Sequence, residues 1–368
     1  MSLGFLKDFD KKMQSMPNVV TDFSPPARWY STGNLALNRQ MSGSFTSGIP
    51  EGRVSVLAGP SGSGKTFLAC NLAREAQAKG AFVLYIDSEN AVDKQFLQKL
   101  GVNVTDNFYY AGLTTFDEVT DTLSAFITGY EKEHGRNNPD APPMLIIVDS
   151  LDMLLTTKED ENFSKGVQKG DQGQRTKQIK HMLRTVTTRI AKFPITFLAT
   201  HQVYQNQDVL NGEGVWIVNN AVKYSASQIF LCTKLKLKDG TDVVGIKMRV
   251  EAYKTRFTQT GTKIEIEVPY TAGMNPYSGL LEEMEKLGVV TRAGAWYTLV
   301  GSEDAKGKPV KFQKKTLNEE IVDKMLASPA ILELEAKALD IMNSAEIDPE
   351  SFEVAELGAL DDDGDGDE

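Results

Sequence analysis

Residues 59–66 carry the clearest chemistry in the sequence, Gly-Pro-Ser-Gly-Ser-Gly-Lys-Thr. The glycines of such a loop allow backbone N–H groups to converge on phosphate oxygens at the positive end of a helix. Lys65 adds a positive charge for the β- and γ-phosphates, and the hydroxyl of Thr66 is a ligand for Mg²⁺. The sequence therefore predicts a P-loop that binds ATP with Mg²⁺. Its predicted contacts are Gly59, Pro60, Ser61, Gly62, Ser63, Gly64, Lys65 and Thr66.

Two apolar runs end in carboxylates that suit the chemistry of a bound triphosphate. Asp149 ends one run and is expected to hold Mg²⁺, although a helix N-cap is the alternative role. Glu89 follows another run and could orient and deprotonate the attacking water, with Asp87 as the alternative base. Ligands of an open α/β sheet bind where the carboxyl ends of its parallel strands meet. We therefore expect these carboxylates to lie near the P-loop.

Three basic or titratable residues also stand at the ends of apolar patterns. Lys254 and Arg256 continue the even-numbered apolar face of residues 246–252. Cations at the end of a buried face need anionic partners, which are either nearby Asp or Glu side chains or the phosphates of ATP on a neighbouring subunit. His201 ends the run that begins at Ile195. It either senses the γ-phosphate or is a satisfied histidine at a strand end.

Two long connections contain residues that could contact a nucleic acid. Residues 162–192 hold eight Lys or Arg against one acid, and this pattern fits either a solvated helix surface or a site for a phosphate backbone. The part of this segment before Gly173 is predicted to be a loop. Aromatic residues of the second connection, 202–220, could stack on bases or pack in the core. The candidate contacts are Lys165, Lys169, Arg175, Lys177, Tyr204 and Trp216.

Composition limits the class of protein. The chain has 368 residues and a net charge of −10, but residues 338–368 contain twelve acids and no Lys or Arg. The remainder is therefore nearly neutral, which permits binding to a polyanion. The two cysteines, Cys70 and Cys232, lack metal-ligand spacing and are expected to be buried reduced thiols. Neither a signal peptide nor a membrane-spanning run is apparent, so we expect a cytoplasmic protein.

Apolar runs alternate with helical patterns from residue 53 onward, which predicts an α/β fold with a mostly parallel sheet and helices on both faces. Four strands are predicted at 53–59, 81–89, 144–149 and 195–201. Alternating segments at 243–252 and 263–268 predict an antiparallel hairpin added to that sheet. A short helix at residues 4–16 precedes a Pro-containing linker, and a small mixed α/β region follows the hairpin.

An ordered series of motifs resembles the RecA family of strand-exchange ATPases, and within it the UvsX recombinases of T4-like phages. The series runs from Ser31 to about Tyr297 and covers most of the chain. It comprises STGNLALN, the P-loop, IDSENAVD, LIIVDSL, the strand that ends in His201, KYSAS, MNPYSGL and GAWY. The resemblance implies a RecA-like P-loop ATPase core with an N-terminal helix and a small α/β C-terminal domain.

The resemblance also implies roles for individual residues. Glu89 matches the catalytic carboxylate, His201 the γ-phosphate switch, and Lys254 with Arg256 the pair that reaches the ATP of the neighbouring subunit. Phe96 falls where the family stacks an aromatic ring on adenine. The other implied contacts are Tyr277 with the nucleotide and two DNA-binding loops at about residues 156–174 and 202–220.

Together these features predict a DNA-dependent ATPase that forms head-to-tail helical filaments on single-stranded DNA and exchanges strands with double-stranded DNA. A hexameric RecA-like helicase and an ATP-dependent scaffold are the alternatives. The family implies a phage single-strand-binding protein and a mediator protein as further partners. The predicted domains are residues 1–30 for subunit docking, 31–275 for the ATPase core, 276–345 for the C-terminal domain and 346–368 for a disordered acidic tail.

Overall fold

A computed structural model describes residues 5–15, 26–167, 173–205, 216–303 and 306–343. Residues Pro25–Asn343 form one compact unit. Helix α1 (Phe5–Ser15) belongs to the other unit and confirms the helix expected at residues 4–16. Phe5 and Phe9 are exposed on it. The acidic tail predicted at residues 346–368 lies outside the described residues.

An eight-stranded sheet forms the centre of the compact unit. Its strands are β3 (Val54–Ala58), β4 (Phe82–Asp87), β5 (Phe108–Gly112), β6 (Met144–Asp149), β7 (Ile195–His201), β10 (Gln228–Asp239), β11 (Asp242–Lys254) and β12 (Lys263–Pro269). Their order across the sheet is β12-β11-β10-β3-β7-β6-β4-β5. The six strands from β10 to β5 run parallel, and β11 and β12 pair antiparallel. This order confirms the predicted mostly parallel sheet and the added hairpin.

Short strands make three smaller sheets. These strands are β1 (Trp29–Tyr30), β2 (Ile49–Pro50), β8 (Tyr204–Gln205), β9 (Trp216–Ile217), β13 (Val290–Ala293), β14 (Trp296–Glu303) and β15 (Pro309–Gln313). Strands β1 and β2 pair, β8 and β9 pair, and β13 to β15 form a three-stranded antiparallel sheet. A 3₁₀ turn, Lys314–Thr316, follows β15.

Helices cover both faces of the central sheet. The described helices after α1 are α2 (Leu35–Ser42), α3 (Lys65–Ala78), α4 (Lys94–Lys99), α5 (Phe116–His134), α6 (Thr157–Ser164), α7 (Gln174–Ile190), α8 (Asn220–Ser225), α9 (Leu280–Lys286), α10 (Glu319–Leu326) and α11 (Pro329–Asn343). One core cluster joins the sheet to α5, α7 and α8, and another joins it to α2, α3 and α4. Across the described segments, no helix is long and apolar enough to cross a membrane.

A third core cluster lies among α9, α10, α11 and the β13–β15 sheet. Phe45, which follows α2, is fully buried in it, and the backbone N–H of Phe45 donates to Glu335 of α11 at 2.7 Å. The C-terminal elements thus have their own hydrophobic core and contact the segment after α2 through Phe45. This arrangement is compatible with the predicted small α/β C-terminal region, whose boundary at residue 276 stays a prediction.

Two predicted loops are more regular than expected. Helix α6 lies inside the DNA-binding loop that was expected at about residues 156–174, and its end falls in the segment from residue 162 that was predicted to be a loop, so that prediction is wrong for residues 162–164. Thr156 and Glu159 form a capping box, in which each side chain bonds the other residue's backbone N–H and the helix start is stabilised. In the second loop, β8 and β9 form a two-residue antiparallel stem.

Candidate functional site

The P-loop connects β3 to α3 and its backbone is shaped for close approach to an anion. Gly62 and Gly64 have φ of +69° and +96°, which side chains rarely tolerate. A Cβ on Gly59 would lie 2.2 Å from the carbonyl oxygen of Cys232, so only glycine fits there. No side chain caps the start of α3, which leaves its first backbone N–H groups available. The buried Ser63 hydroxyl has no hydrogen-bond partner among the described residues. These features fit a phosphate group.

Lys65, the first residue of α3, points back over the loop. Its Nζ donates to the carbonyl oxygens of Gly59 at 2.9 Å and Pro60 at 3.0 Å. Burial lowers the pKa of Lys65 from its usual value, and the charges of Cys232, Glu89 and nearby acids oppose this shift. Among the described residues this buried ammonium donates only to neutral carbonyls, so it is poised to donate to phosphate oxygens, whose charge would compensate its desolvation.

Asp149 ends β6 and its carboxylate is fixed from two sides. The hydroxyl of Tyr85 donates to Oδ2 at 2.8 Å, and the hydroxyl of Thr200 donates to Oδ1. Asp149 is 3% exposed, and the peptide bond to Ser150 is cis. The next helix, α6, begins eight residues later and is capped by Thr156, so the N-cap alternative for Asp149 is wrong. The remaining carboxylate lone pairs could hold a Mg²⁺-bound water.

Glu89 is exposed at the same edge and is held by one contact. The hydroxyl of Ser150 donates to its Oε1 at 2.7 Å. Asp87, the alternative base, instead accepts the backbone N–H groups of Glu89 and Val92 and the hydroxyl of Tyr110. Those contacts stabilise the turn after β4. The geometry therefore favours Glu89 as the group that could orient water.

A cavity of about 250 Å³ joins these groups. It is lined by Ser61, Gly62, Ser63, Gly64, Lys65, Thr66, Phe67, Glu89, Phe96, Asp149 and Gln202. The predicted loop residues from Ser61 to Thr66, both predicted carboxylates and Phe96 thus meet around one space. The described residues contain no group of three or more His, Cys, Asp or Glu side chains that could hold a metal. A Mg²⁺ ion held by Thr66 and Asp149 would therefore take its other ligands from phosphates and water.

Gly59, Pro60, Tyr277 and His201 were predicted at the nucleotide site but do not line this cavity, whereas Phe67 and Gln202 were not predicted and do. Tyr277 packs against the C-terminal core cluster. His201 is 2% exposed, and its Nδ1 lies 2.8 Å from Asp152 Oδ2. Gln202, the next residue, reaches the cavity instead. The sequence did contain a signal for Gln202, because its side-chain amide directly follows a buried strand that ends beside the P-loop. The roles of His201 and Tyr277 stay predictions.

Lys254 and Arg256 lie near the amino ends of the parallel strands, whereas the P-loop follows the carboxyl end of β3. Lys254 pairs with Ile229 at the start of β10, and its Nζ donates to the carbonyl oxygen of Lys223. Burial and the charge of Arg256 lower the pKa of Lys254. Burial and the same charge lower the pKa of Arg53, which precedes β3. In the described part of the chain, neither Lys254 nor Arg256 forms an ion pair with Asp or Glu.

Helix α7 carries the predicted cations on its outer face. Its buried face consists of Ile179, Met182, Leu183, Val186 and Ile190. Lys177 is exposed, whereas Arg175 donates to Glu159 at 2.9 Å and to the carbonyl oxygen of Asp152 at 3.0 Å. Lys165, at the end of α6, pairs with Glu161 at 3.2 Å. Lys169 lies outside the described residues.

The two predicted aromatic contacts differ in exposure. Tyr204 of β8 is 65% exposed. Trp216 of β9 is half-buried and packs against the core cluster of α5 and α7. The Tyr204 ring is accessible to a base, and the Trp216 ring packs at the stem of the loop; contact of either ring with DNA stays a prediction.

The sheet, the P-loop and the carboxylates at its edge define a P-loop nucleotide-binding protein of the α/β class. A family model described as the RecA N-terminal domain matches residues 21–275, which is more than half of the chain. The chain therefore belongs to the RecA family. Members of this family are DNA-dependent ATPases that act in DNA recombination and repair, and this chain is such an ATPase.

Curated relatives named Protein RecA match over most of their length. The protein of Frankia alni is 27% identical over 298 residues, which is 80% of each chain. That of Desulforapulum autotrophicum is 28% identical over 301 residues, which is 81% of each. That of a Wolbachia from Brugia malayi is 27% identical over 334 residues, covering 89% of this chain and 86% of the relative. The similarity extends beyond the ATPase core into the C-terminal elements.

Proposed function

We propose that this chain is an ATP-dependent DNA recombinase that forms helical filaments on single-stranded DNA and catalyses homologous pairing and strand exchange. It would act on single- and double-stranded DNA in recombination, repair and replication. One observation carries the proposal. The P-loop and the cations Lys254 and Arg256 lie at opposite ends of the strands of the same sheet. An assembly that uses both for one ATP must join unlike surfaces of two subunits, which generates a helix or a ring.

The separation is too large for the two groups to act on one nucleotide within a chain. Strand β3 has five residues and lies between Arg53, which is near Arg256, and Gly59 of the P-loop. At about 3.3 Å per residue this places the two ends roughly 20 Å apart. Lys254 and Arg256 also have no acidic partner in the described residues, and the desolvated Lys254 would gain from one. Phosphates on a neighbouring subunit would meet that need.

Within one subunit the residues of the cavity fit Mg–ATP. Lys65 and the P-loop N–H groups would hold the phosphates, Thr66 and Asp149 would hold the metal, and Phe96 would support the base. Bound ATP supplies the phosphoanhydride bond that is hydrolysed, and Mg²⁺ offsets charge on the phosphates. Glu89, held by Ser150, orients the attacking water. Gln202 would contact the γ-phosphate from the end of β7.

The outer face of α7 and the loop beyond Tyr204 would contact DNA. Lys177 and the other exposed cations of α7 suit a phosphate backbone, and Tyr204 suits stacking on a base. We further propose that the protein is a phage recombinase of the UvsX type. Its partners in the host cytoplasm would be a single-strand-binding protein and a mediator protein. We also propose domain boundaries at residues 30, 275 and 345.

A mixing experiment tests the shared site. Glu89→Gln removes the base on the P-loop side, and Arg256→Ala removes a cation on the other side. Each variant alone is expected to lose about 10³-fold in single-stranded-DNA-stimulated ATP hydrolysis. A random equimolar mixture restores one intact junction in four, so it should recover about a quarter of the wild-type rate. The rate is measured as phosphate release.

Arg292→Ala, an exposed arginine on β13, is the matched control and should retain wild-type activity alone. If the mixture is as inactive as its components, Arg256 does not act across subunits.

Electron microscopy with ATP and single-stranded DNA is a second test, which distinguishes filaments from rings. Closed rings without filaments would favour the helicase alternative, and absence of strand exchange by purified protein would contradict the recombinase proposal.

A further inference from the structure

Asp152 contacts both the end of β7 and the start of α7. Its Oδ2 accepts the backbone N–H of Gln202 and lies 2.8 Å from Nδ1 of His201. Its backbone carbonyl oxygen accepts Nη1 of Arg175 at 3.0 Å. Its side chain is only 12% exposed. One residue therefore fixes the strand end that lines the ATP cavity and the first turn of the helix proposed to bind DNA.

We propose that Asp152 is a positioning residue that couples the ATP cavity to the DNA-binding helix by retaining Arg175. This inference rests on the proposed function and adds a residue and a route to it. The Nη1 and Nη2 atoms of Arg175 are both engaged within the protein, by Asp152 and Glu159. A DNA phosphate would have to compete with these contacts. Loosening them would make Arg175 available for a bidentate phosphate contact.

Contacts around His201 explain how a signal from the cavity would reach Asp152. The backbone N–H of Asn219 donates to Nε2 of His201 at 3.3 Å, and Nδ1 lies 2.8 Å from Asp152 Oδ2 without forming a hydrogen bond among the described residues. A γ-phosphate contact made by Gln202 would pull on the backbone N–H that Asp152 holds. The same movement would act on Asp152 and on the carbonyl oxygen that retains Arg175.

A second set of contacts joins the same strand end to α7 and makes the link redundant. The side-chain amide of Asn219 donates to Thr176 Oγ1 at 3.1 Å, next to Arg175. The side-chain oxygen of Asn219 also caps α8. Both ends of the second predicted DNA loop therefore contact His201 or its neighbours. The state of the cavity can bias α6, α7 and α8 together, which is the physical basis of coupling between two sites.

The test compares single-stranded-DNA affinity in two nucleotide states. Fluorescence anisotropy of a labelled oligonucleotide gives the dissociation constants with ADP and with ATPγS, and their ratio measures coupling. We expect a ratio of about five or more for the wild-type protein. Asp152→Asn keeps the size of the side chain but removes its charge, and it should reduce the ratio at least about threefold. Asp121→Asn, an exposed acid on α5, should leave the ratio unchanged.

A second variant keeps the test decisive if Asp152→Asn fails to fold. Glu159→Gln removes the charged partner of Arg175, yet glutamine can still complete the capping box of α6. It should raise DNA affinity in the ADP state and so reduce the ratio. A ratio that stays at the wild-type value in the folded variants overturns the inference, even if both affinities fall together. A wild-type protein without nucleotide-dependent DNA binding would instead contradict the proposed function.

Discussion

The buried hydrogen bond from Tyr85 to Asp149 should contribute measurably to the stability of the fold. Tyr85 is fully buried, and its hydroxyl lies 2.8 Å from Oδ2 of the carboxylate. Burial raises the pKa of Tyr85 well above its usual value, so the hydroxyl remains a donor at neutral pH. Tyr85→Phe removes only the donor and opens almost no cavity. The change removes the hydrogen bond to a buried charge together with a weak 3.9 Å contact between the hydroxyl and Cys70 Sγ.

The expected loss is about 2 kcal/mol of unfolding free energy, because a hydrogen bond to a charged group contributes about 1.5–3 kcal/mol. Asp149 would keep only the Thr200 hydroxyl as a donor. With a urea m-value of about 3 kcal/mol/M, the unfolding midpoint should fall by roughly 0.7 M at an unchanged m-value. Equilibrium unfolding followed by circular dichroism at pH 7.5 measures both quantities.

Tyr110→Phe provides a matched control. Its hydroxyl also donates to a carboxylate, Asp87 Oδ2 at 3.1 Å, but Tyr110 is 41% exposed. Water can replace that bond, so the midpoint should change by less than about 0.2 M, equivalent to about 0.5 kcal/mol. A Tyr85→Phe midpoint that differs no more than the control would refute the reasoning. It would mean that Asp149 does not depend on Tyr85 for its position.

Two further changes test other parts of the fold. Gly129 lies within α5 with open space around its Cα, so Gly129→Ala should raise the unfolding free energy by about 0.5–1 kcal/mol, whereas Gly135→Ala at φ +72° should lower it. A gain at both sites would contradict the backbone assignment. Burial raises the pKa of Cys70 and of Cys232 to about 12. Neither thiol should react with Ellman's reagent at pH 8 until urea exposes both, and rapid reaction of the native protein would contradict their burial.

Strands that are covered on both faces could be predicted accurately from the sequence. The predicted bounds of β6 and β7 coincide with those observed, because nearly every residue of a fully covered strand is apolar. The edge strand β5 exposes Tyr109 and Tyr110, so its pattern is ambiguous. Strand β10 was missed because only its first half is buried and its second half is rich in lysine.

The sequence predicted the kinds of chemical group in the cavity more readily than the exact positions that supply them. The P-loop, Glu89 and Asp149 were found because their chemistry is tied to a strand end. His201 is the last residue of β7 and lies against Asp152, whereas Gln202 directly after it lines the cavity, and the role of His201 stays a prediction. A shift of one residue changes which side chain enters the cavity. Helix α6 had a readable signal, the capping box of Thr156 and Glu159, that its polar composition obscured.

The placement of nucleotide loop and cations at opposite ends of β3 has a consequence for growth. A polymer joined through these surfaces has two unlike ends. One terminal subunit presents a P-loop that no neighbour covers, and the other presents Lys254 and Arg256 without a nucleotide to meet. Under the proposed shared site, the first could take up ATP but would lack the partner needed to hydrolyse it efficiently. Addition and loss of subunits would then proceed at different rates at the two ends. The orientation of β3 within each subunit would set the direction of assembly.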